Sequence, residues 1–236
     1  TADECYCSSM KLQDISTEDE LDRLLSEPYP EDIEFAGSLD GDLLVLGAGG
    51  KMGPTLVQRI CRAKEAADAS WEVYAVSRFS NPEAREIIEA AGAETISADL
   101  LDEQQLASLP DCPNIIYMVG MKFGATDQEP LTWAMNAYLS GRVADRFSSS
   151  RIVAFSTGNV YPLVPVDSGG SREVDPPDPV GEYAQSCLGR ERIFQHFSLR
   201  NTTPVCLLRL NYAVEARYGV LLDIAINVYQ EDPVSL

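Results

Sequence analysis

The stretch Asp42-Leu-Leu-Val-Leu-Gly47-Ala-Gly-Gly50-Lys-Met-Gly53-Pro-Thr-Leu56 decides the fold. A four-residue apolar run of strand length enters a glycine loop, which opens directly onto a helical stretch. In that context each glycine has a physical task. Gly47 permits the tight turn, Gly50 lets the backbone approach a pyrophosphate, and Gly53 allows helix and strand to pack closely, with the helix N-terminal N–H groups facing the anion. Lys51 and Met52 lie inside the loop and are read with it as dinucleotide-binding residues.

Outward from this loop, short apolar runs alternate with longer amphipathic stretches, the pattern of βαβ units and a parallel sheet. Strands are expected at Leu43–Leu46, Glu72–Val76, Glu94–Ser97, Asn114–Val119, Arg151–Phe155 and Val205–Leu210. Helices are expected at 54–68, 82–91, 102–108, 129–147 and 181–199, with a further helical stretch at 220–229. Six parallel strands with crossover helices predict a doubly wound α/β Rossmann fold, which binds ligands beyond the C-terminal ends of its strands. The Pro-, Gly- and Asp-rich segment Tyr161–Val180 reads as a long loop, and loops of that length tend to be functional.

Residues 1–40 form an acidic extension ahead of the Rossmann domain at 41–236. One helix is expected there, opened by the capping box Thr17-Glu-Asp-Glu20 and stopped by Pro28 and Pro30.

The composition narrows the function classes. With 45% hydrophobic residues among 236, the chain can bury a full core. A formal charge of −19 disfavours polyphosphate backbones and anionic membranes, and no basic patch offsets it, so neither a nucleic-acid nor a membrane partner is expected. No apolar run is long enough to span a bilayer. The six cysteines, Cys5, Cys7, Cys61, Cys112, Cys187 and Cys206, lack disulfide-framework or zinc spacing and suit reduced thiols in a cytoplasm. A lone histidine, His196, cannot build a histidine-rich metal site, and no metal is expected.

At Val76-Ser77-Arg78 the second strand ends without the acidic residue that an NAD-preferring Rossmann protein presents to the ribose 2′-hydroxyl. Arg78, with Lys51, can pair with a 2′-phosphate, which favours NADP over NAD. The alternative is that Arg78 is a solvated loop charge and Ser77 alone meets the ribose.

Three further segments carry a resemblance: Val119-Gly120-Met-Lys122-Phe-Gly124, Phe155-Ser156-Thr157-Gly-Asn-Val-Tyr161 and Tyr183-Ala-Gln-Ser-Cys187-Leu-Gly-Arg-Glu191. Together with glycines at 47, 50 and 53, they resemble the extended short-chain dehydrogenase/reductase family, which holds nucleotide-sugar epimerases and dehydratases. The resemblance covers about residues 42–220. It implies that Asp99 and Leu100 meet the adenine ring, that Gly120 and Lys122 meet the cofactor, and that Thr157, with Ser156 beside it, hydrogen-bonds the substrate oxygen. Tyr183 falls in the place of the catalytic tyrosine. Asn136 and Gly141 roughly match an asparagine-bearing helix, where packing is the simpler reading. Arg209, in Leu208-Arg-Leu-Asn211, reads as structural.

Cys187 stands where the family carries the lysine that holds the nicotinamide ribose and lowers the tyrosine pKa. A thiol cannot do either, and rescue has to come from the oxidised nicotinamide, from Lys122 or from Arg190. The family's substrate-binding C-terminal half is also mostly absent from this sequence, so a truncated substrate region is expected. The resemblance implies an NAD(P)-dependent oxidoreductase or epimerase/dehydratase acting on a small hydroxyl or carbonyl compound such as a sugar or nucleotide sugar. The alternative is a dinucleotide-binding sensor or scaffold that has lost catalysis. It also implies a homodimer through helices 129–147 and 181–199, the first of which places Leu131, Ala134, Met135, Tyr138 and Leu139 on roughly one face.

Overall fold

Strand β1 (Leu43–Leu46) is buried on both faces, as an all-aliphatic run must be when helices cover the sheet above and below. The structure, a computed structural model, describes residues 15–121, 127–211 and 217–234. With β1, the strands β2 (Val73–Ser77), β3 (Glu94–Ser97), β4 (Asn114–Tyr117), β5 (Arg151–Thr157) and β6 (Val205–Leu210) form one sheet in the order β3-β2-β1-β4-β5-β6. Every pairing is parallel. This is a doubly wound parallel sheet of the Rossmann type that the sequence predicts, and its order reverses between β1 and β4. Leu46 lies opposite both Val76 and Tyr117, so three strand ends finish level and open a crevice at the reversal.

Helices α1 (Glu18–Leu25), α2 (Pro30–Ser38), α3 (Gly53–Ala66), α4 (Pro82–Ala90), α5 (Glu103–Ala107), α6 (Glu129–Trp133), α7 (Leu139–Arg146), α8 (Glu182–Asn201) and α9 (Val220–Tyr229) complete the chain. On one face of the sheet, Leu43, Val45, Val73 and Ala75 pack with Ala36 of α2, Val57 and Cys61 of α3, and Ile88 of α4. On the other, Leu44, Leu46, Ile115, Tyr117, Ile152 and Ala154 pack with Leu106 of α5, Leu139 and Val143 of α7, and Phe194 of α8. Tyr117 and Phe194 meet edge to face at 5.1 Å between centroids, both fully buried.

The N-terminal region corrects the expectation of a single helix. Thr17 caps α1 as expected, accepting the Glu20 N–H at 3.2 Å. Pro30, read as a stop, is instead the first residue of α2, where proline's fixed φ and missing N–H do no harm. The indole of Trp71 donates to Ala36 O at 2.9 Å, tying α2 to the sheet.

The helical stretch expected at 129–147 forms, but Ala134–Tyr138 make a π-helical turn between α6 and α7. The five residues expected to share a face there divide. Leu139 is fully buried and Met135 packs against the core, whereas Leu131 and Tyr138 are exposed. Such π-turns occur often at functional sites.

Candidate active site

The glycine loop lies at the crevice where the strand order reverses. Gly47 has φ +91°, and a Cβ there would stand 3.0 Å from the backbone of Met118 and Val119, so only glycine lets the end of β1 pass so close to the end of β4. At Gly53 a Cβ would lie 1.8 Å from Ala48 O, which makes this glycine the contact point between helix and loop. Gly50 differs, because its nearest neighbour would be Gly47 O at an ordinary 3.5 Å. Nothing among the described residues requires glycine there, and the surface they form stays clear for a ligand. Gly49 went unnoticed in the sequence, yet a Cβ on it would meet Ser77 Oγ at 2.5 Å. Its need for glycine depends on a residue of a different strand.

Helix α3 starts without a side-chain cap at Met52 and without an acidic residue in its first turn. An uncapped, acid-free helix start is an electropositive end open to an anion. Exposed Lys51 lies beside it, with its ammonium 5.2 Å from the centroid of the Tyr218 ring. These residues fit a dinucleotide pyrophosphate.

Beyond β2, half-buried Ser77 faces the loop, while Arg78 is exposed and makes no hydrogen bond or ion pair among the described residues. Phe79, at φ +48°, turns inward to pack on the core, which sends Arg78 outward. After β3, the Asp99 carboxylate accepts the Leu101 N–H at 3.0 Å, and Leu100 is buried in the core. Lys122 lies outside the described residues.

At the end of β5 the structure brings together Thr157 and Tyr183. The phenol is half-buried at the start of α8, with the Thr157 hydroxyl and the Cys187 thiol beside it. Burial pushes its pKa up to about 12, Cys187 adds to the rise, and the neighbouring Thr157 hydroxyl and the Arg190 charge oppose it. Cys187 is 1% exposed, a packed residue on the inner face of α8.

Ser156 points elsewhere. Its hydroxyl donates to Glu191 Oε1 at 2.5 Å, and that buried carboxylate also receives Arg209. Arg209 in turn donates to the Tyr161 hydroxyl at 2.6 Å, closing a brace from β5 through α8 to β6. Hydrogen bonding to Glu191 raises Arg209 above the ordinary arginine range.

Asn136, in the π-turn, does more than pack. Its amide clasps Met121, accepting from the backbone N–H at 2.8 Å and donating to the carbonyl at 3.1 Å, and it also donates to Ser186 Oγ at 3.0 Å. Arg190 lies below, donating to Asn136 Oδ1 at 2.8 Å, Asn136 O at 3.1 Å and Phe155 O at 2.8 Å. A Cβ on Gly120 would lie 2.7 Å from this guanidinium. The chain at Gly120–Met121 is thereby fixed from beneath. Sequence spacing hinted at Asn136, and no local signal marked Arg190 as buried.

Among the described residues no cluster of His, Cys, Asp and Glu could hold a metal ion, and Cys61, Cys112, Cys187 and Cys206 form no disulfide. No helix among them is long and apolar enough to cross a membrane.

The chain belongs to the NAD dependent epimerase/dehydratase family, whose model matches residues 43–217. No curated protein matches the chain in sequence. Solved structures similar to it include the UDP-Glc/GlcNAc 4-epimerase from Campylobacter jejuni, 18% identical with a TM-score of 0.63 over 72% of this chain and 53% of that one. The UDP-glucuronic acid 4-epimerase from Bacillus cereus in complex with NAD is 17% identical, with a TM-score of 0.62 over 83% of this chain and 66% of that one. A structure of Pal from Bacillus thuringiensis is 20% identical, with a TM-score of 0.65 over 80% and 64%. At these identities the likeness is one of fold. The chain spans between 53% and 66% of the length of these relatives.

Proposed function

We propose that the chain binds a nicotinamide dinucleotide at the β1 crevice and acts as an NAD(P)-dependent oxidoreductase or epimerase/dehydratase on a hydroxyl or carbonyl group of a sugar or nucleotide sugar. The observation that carries this reading is the placement of Tyr183 beside Thr157 at the end of β5, in the same sheet whose β1 end forms the glycine cradle. Family membership and the epimerases of like fold support it.

In this reading Gly47, Gly50, Lys51, Met52 and Gly53 hold the pyrophosphate, Ser77 and Arg78 the adenosine ribose, Asp99 and Leu100 the adenine, and Gly120 and Lys122 the nicotinamide half. Exposed, unpaired Arg78 favours the 2′-phosphate of NADP, although NAD accompanies the Bacillus cereus epimerase. The bound dinucleotide supplies hydride exchange. Thr157 orients the reacting oxygen, and Tyr183 moves the proton between its hydroxyl and that oxygen. Ser156 holds Glu191 and so keeps Thr157 in line. With its pKa near 12, Tyr183 is ionised in only about one molecule in a hundred thousand at pH 7, so proton donation to a carbonyl is the easier direction.

The same raised pKa favours a second reading, in which the chain binds dinucleotide tightly without turnover, as a sensor or scaffold. Mass spectrometry of co-purified ligand, followed by hydride transfer assays over a panel of nucleotide sugars, separates the two. Turnover lost in Tyr183→Phe supports the enzyme, and binding without any Tyr183-dependent transfer supports the sensor. We also propose a homodimer through α6, α7 and α8, where Leu131 and Tyr138 stay exposed. Light scattering showing a monomer at tens of micromolar would retire it. The absence of disulfides among the described cysteines suits a reducing, cytoplasmic setting.

A further inference from the structure

Arg190 and Glu191 are the two buried charged side chains among the described residues. Glu191 is neutralised by Arg209, whereas Arg190 has no carboxylate partner among the described residues and is held by two carbonyl oxygens and one amide oxygen. A guanidinium buried without a counter-charge is disfavoured, and its retention calls for a reason.

Its surroundings supply one. The guanidinium carbon lies 5.7 Å from the centroid of the Tyr117 ring, beneath Gly120, with one nitrogen on Phe155 O, two residues before Thr157. Tyr183 lies seven residues earlier on α8, two turns back on the same face, and helical side chains lean toward the N-terminus. Releasing a proton from a buried phenol needs a positive charge nearby. One turn after Tyr183, Cys187 supplies none. Thr157 from β5 and Asn136 from the π-turn are neutral, Glu191 is saturated by Ser156 and Arg209, and Glu182 accepts the Trp133 indole N–H at 2.5 Å. Lys122 lies outside the described residues.

We propose that Arg190 is the charge-supplying positioning residue of this site: its buried cation makes proton release from Tyr183 accessible, while its bonds to Asn136 fix the chain at Gly120–Met121. The inference rests on Tyr183 being the proton-transfer group of the proposed function. The opposing effect of Arg190 on the burial of Tyr183 agrees with it.

The test is the ionisation of residue 183 in the full chain, followed by 19F NMR with difluorotyrosine at that position, whose fluorines bring the phenol into a pH range the folded protein tolerates. Arg190→Met is expected to raise the midpoint by about one pH unit, a tenfold fall in the acid constant. Arg190→Lys, which loses the same fork of hydrogen bonds but keeps the charge, is expected to stay close to the parent. Asn136→Asp provides a second route, because it sets a carboxylate against the intact guanidinium and is expected to raise the midpoint as well. If Arg190→Met fails to fold, Asn136→Asp and Arg190→Lys decide the matter between them. Midpoints that stay unchanged in every folded variant, or that move equally in Lys and Met, would overturn the proposal. No cofactor is needed for this measurement. Failure to bind NAD or NADP would therefore sink the functional reading separately.

Discussion

Arg209 forms a two-pronged pair with the fully buried carboxylate of Glu191, Nε to Oε1 at 2.9 Å and Nη2 to Oε2 at 2.7 Å. The pair joins edge strand β6 to α8, and Ser156 extends it into β5. Removing one partner of a buried pair strands the other charge, so Arg209→Met is expected to destabilise the fold by about 3–5 kcal/mol. Adding Glu191→Leu to that variant should recover part of the loss. Urea unfolding midpoints check this, and a double variant weaker than Arg209→Met would contradict it.

The glycines offer a separation of folding from binding. Gly53→Ala drives a Cβ into Ala48 O and is expected to cost about 2 kcal/mol or more of stability. Gly50→Ala meets only an ordinary contact and is expected to leave the unfolding midpoint nearly unchanged while weakening dinucleotide binding at least tenfold. Comparable stability losses in both variants would show that position 50 is structural.

These contrasts also show what the sequence could and could not reveal. Five of the strands were legible because each contains a short apolar run, β3 (Glu94-Thr-Ile-Ser97) by its place in the alternation, and Gly47 and Gly53 because their spacing belongs to a strand-loop-helix context. Gly49 was not legible, since its constraint comes from Ser77 at the end of another strand. Pro30 misled because the same residue that ends one helix can begin the next. The two motifs holding Thr157 and Tyr183 announced themselves, but the turning of Ser156 toward Glu191 depends on packing between β5 and α8. The buried state of Arg190 depends on a π-turn that no local pattern encodes.

Stability should fall in alkali. Burial raises Tyr117 to about 12 from 10, and Cys61 and Cys112 to about 11 from 9. Each acid holds its proton longer when folded, so its contribution is complete below the unfolded pKa and is lost as pH rises through the folded one. The loss should therefore begin near pH 9 with the thiols and deepen between 10 and 12 with Tyr117 and Tyr183, the fully buried Tyr117 contributing about 2–3 kcal/mol. Tyr117→Phe keeps the ring against Phe194 and should flatten the fall above pH 10. An unchanged alkaline slope in that variant would count against burial as the cause.

Cofactor preference turns on Arg78. A charge-assisted pair with the 2′-phosphate is worth about 1.5–3 kcal/mol, so Arg78→Ala should weaken NADP by about ten- to a hundredfold and leave NAD nearly unchanged. Equal losses for both would mean that Arg78 only stacks on adenine.

The measurement that bears most directly on the central claim is calorimetric titration of NAD and NADP into the purified chain, side by side with Gly50→Ala. The account predicts saturable binding of at least one dinucleotide below millimolar concentration, lost in the folded Gly50→Ala protein. No binding by the parent chain of either dinucleotide at millimolar concentration would contradict it.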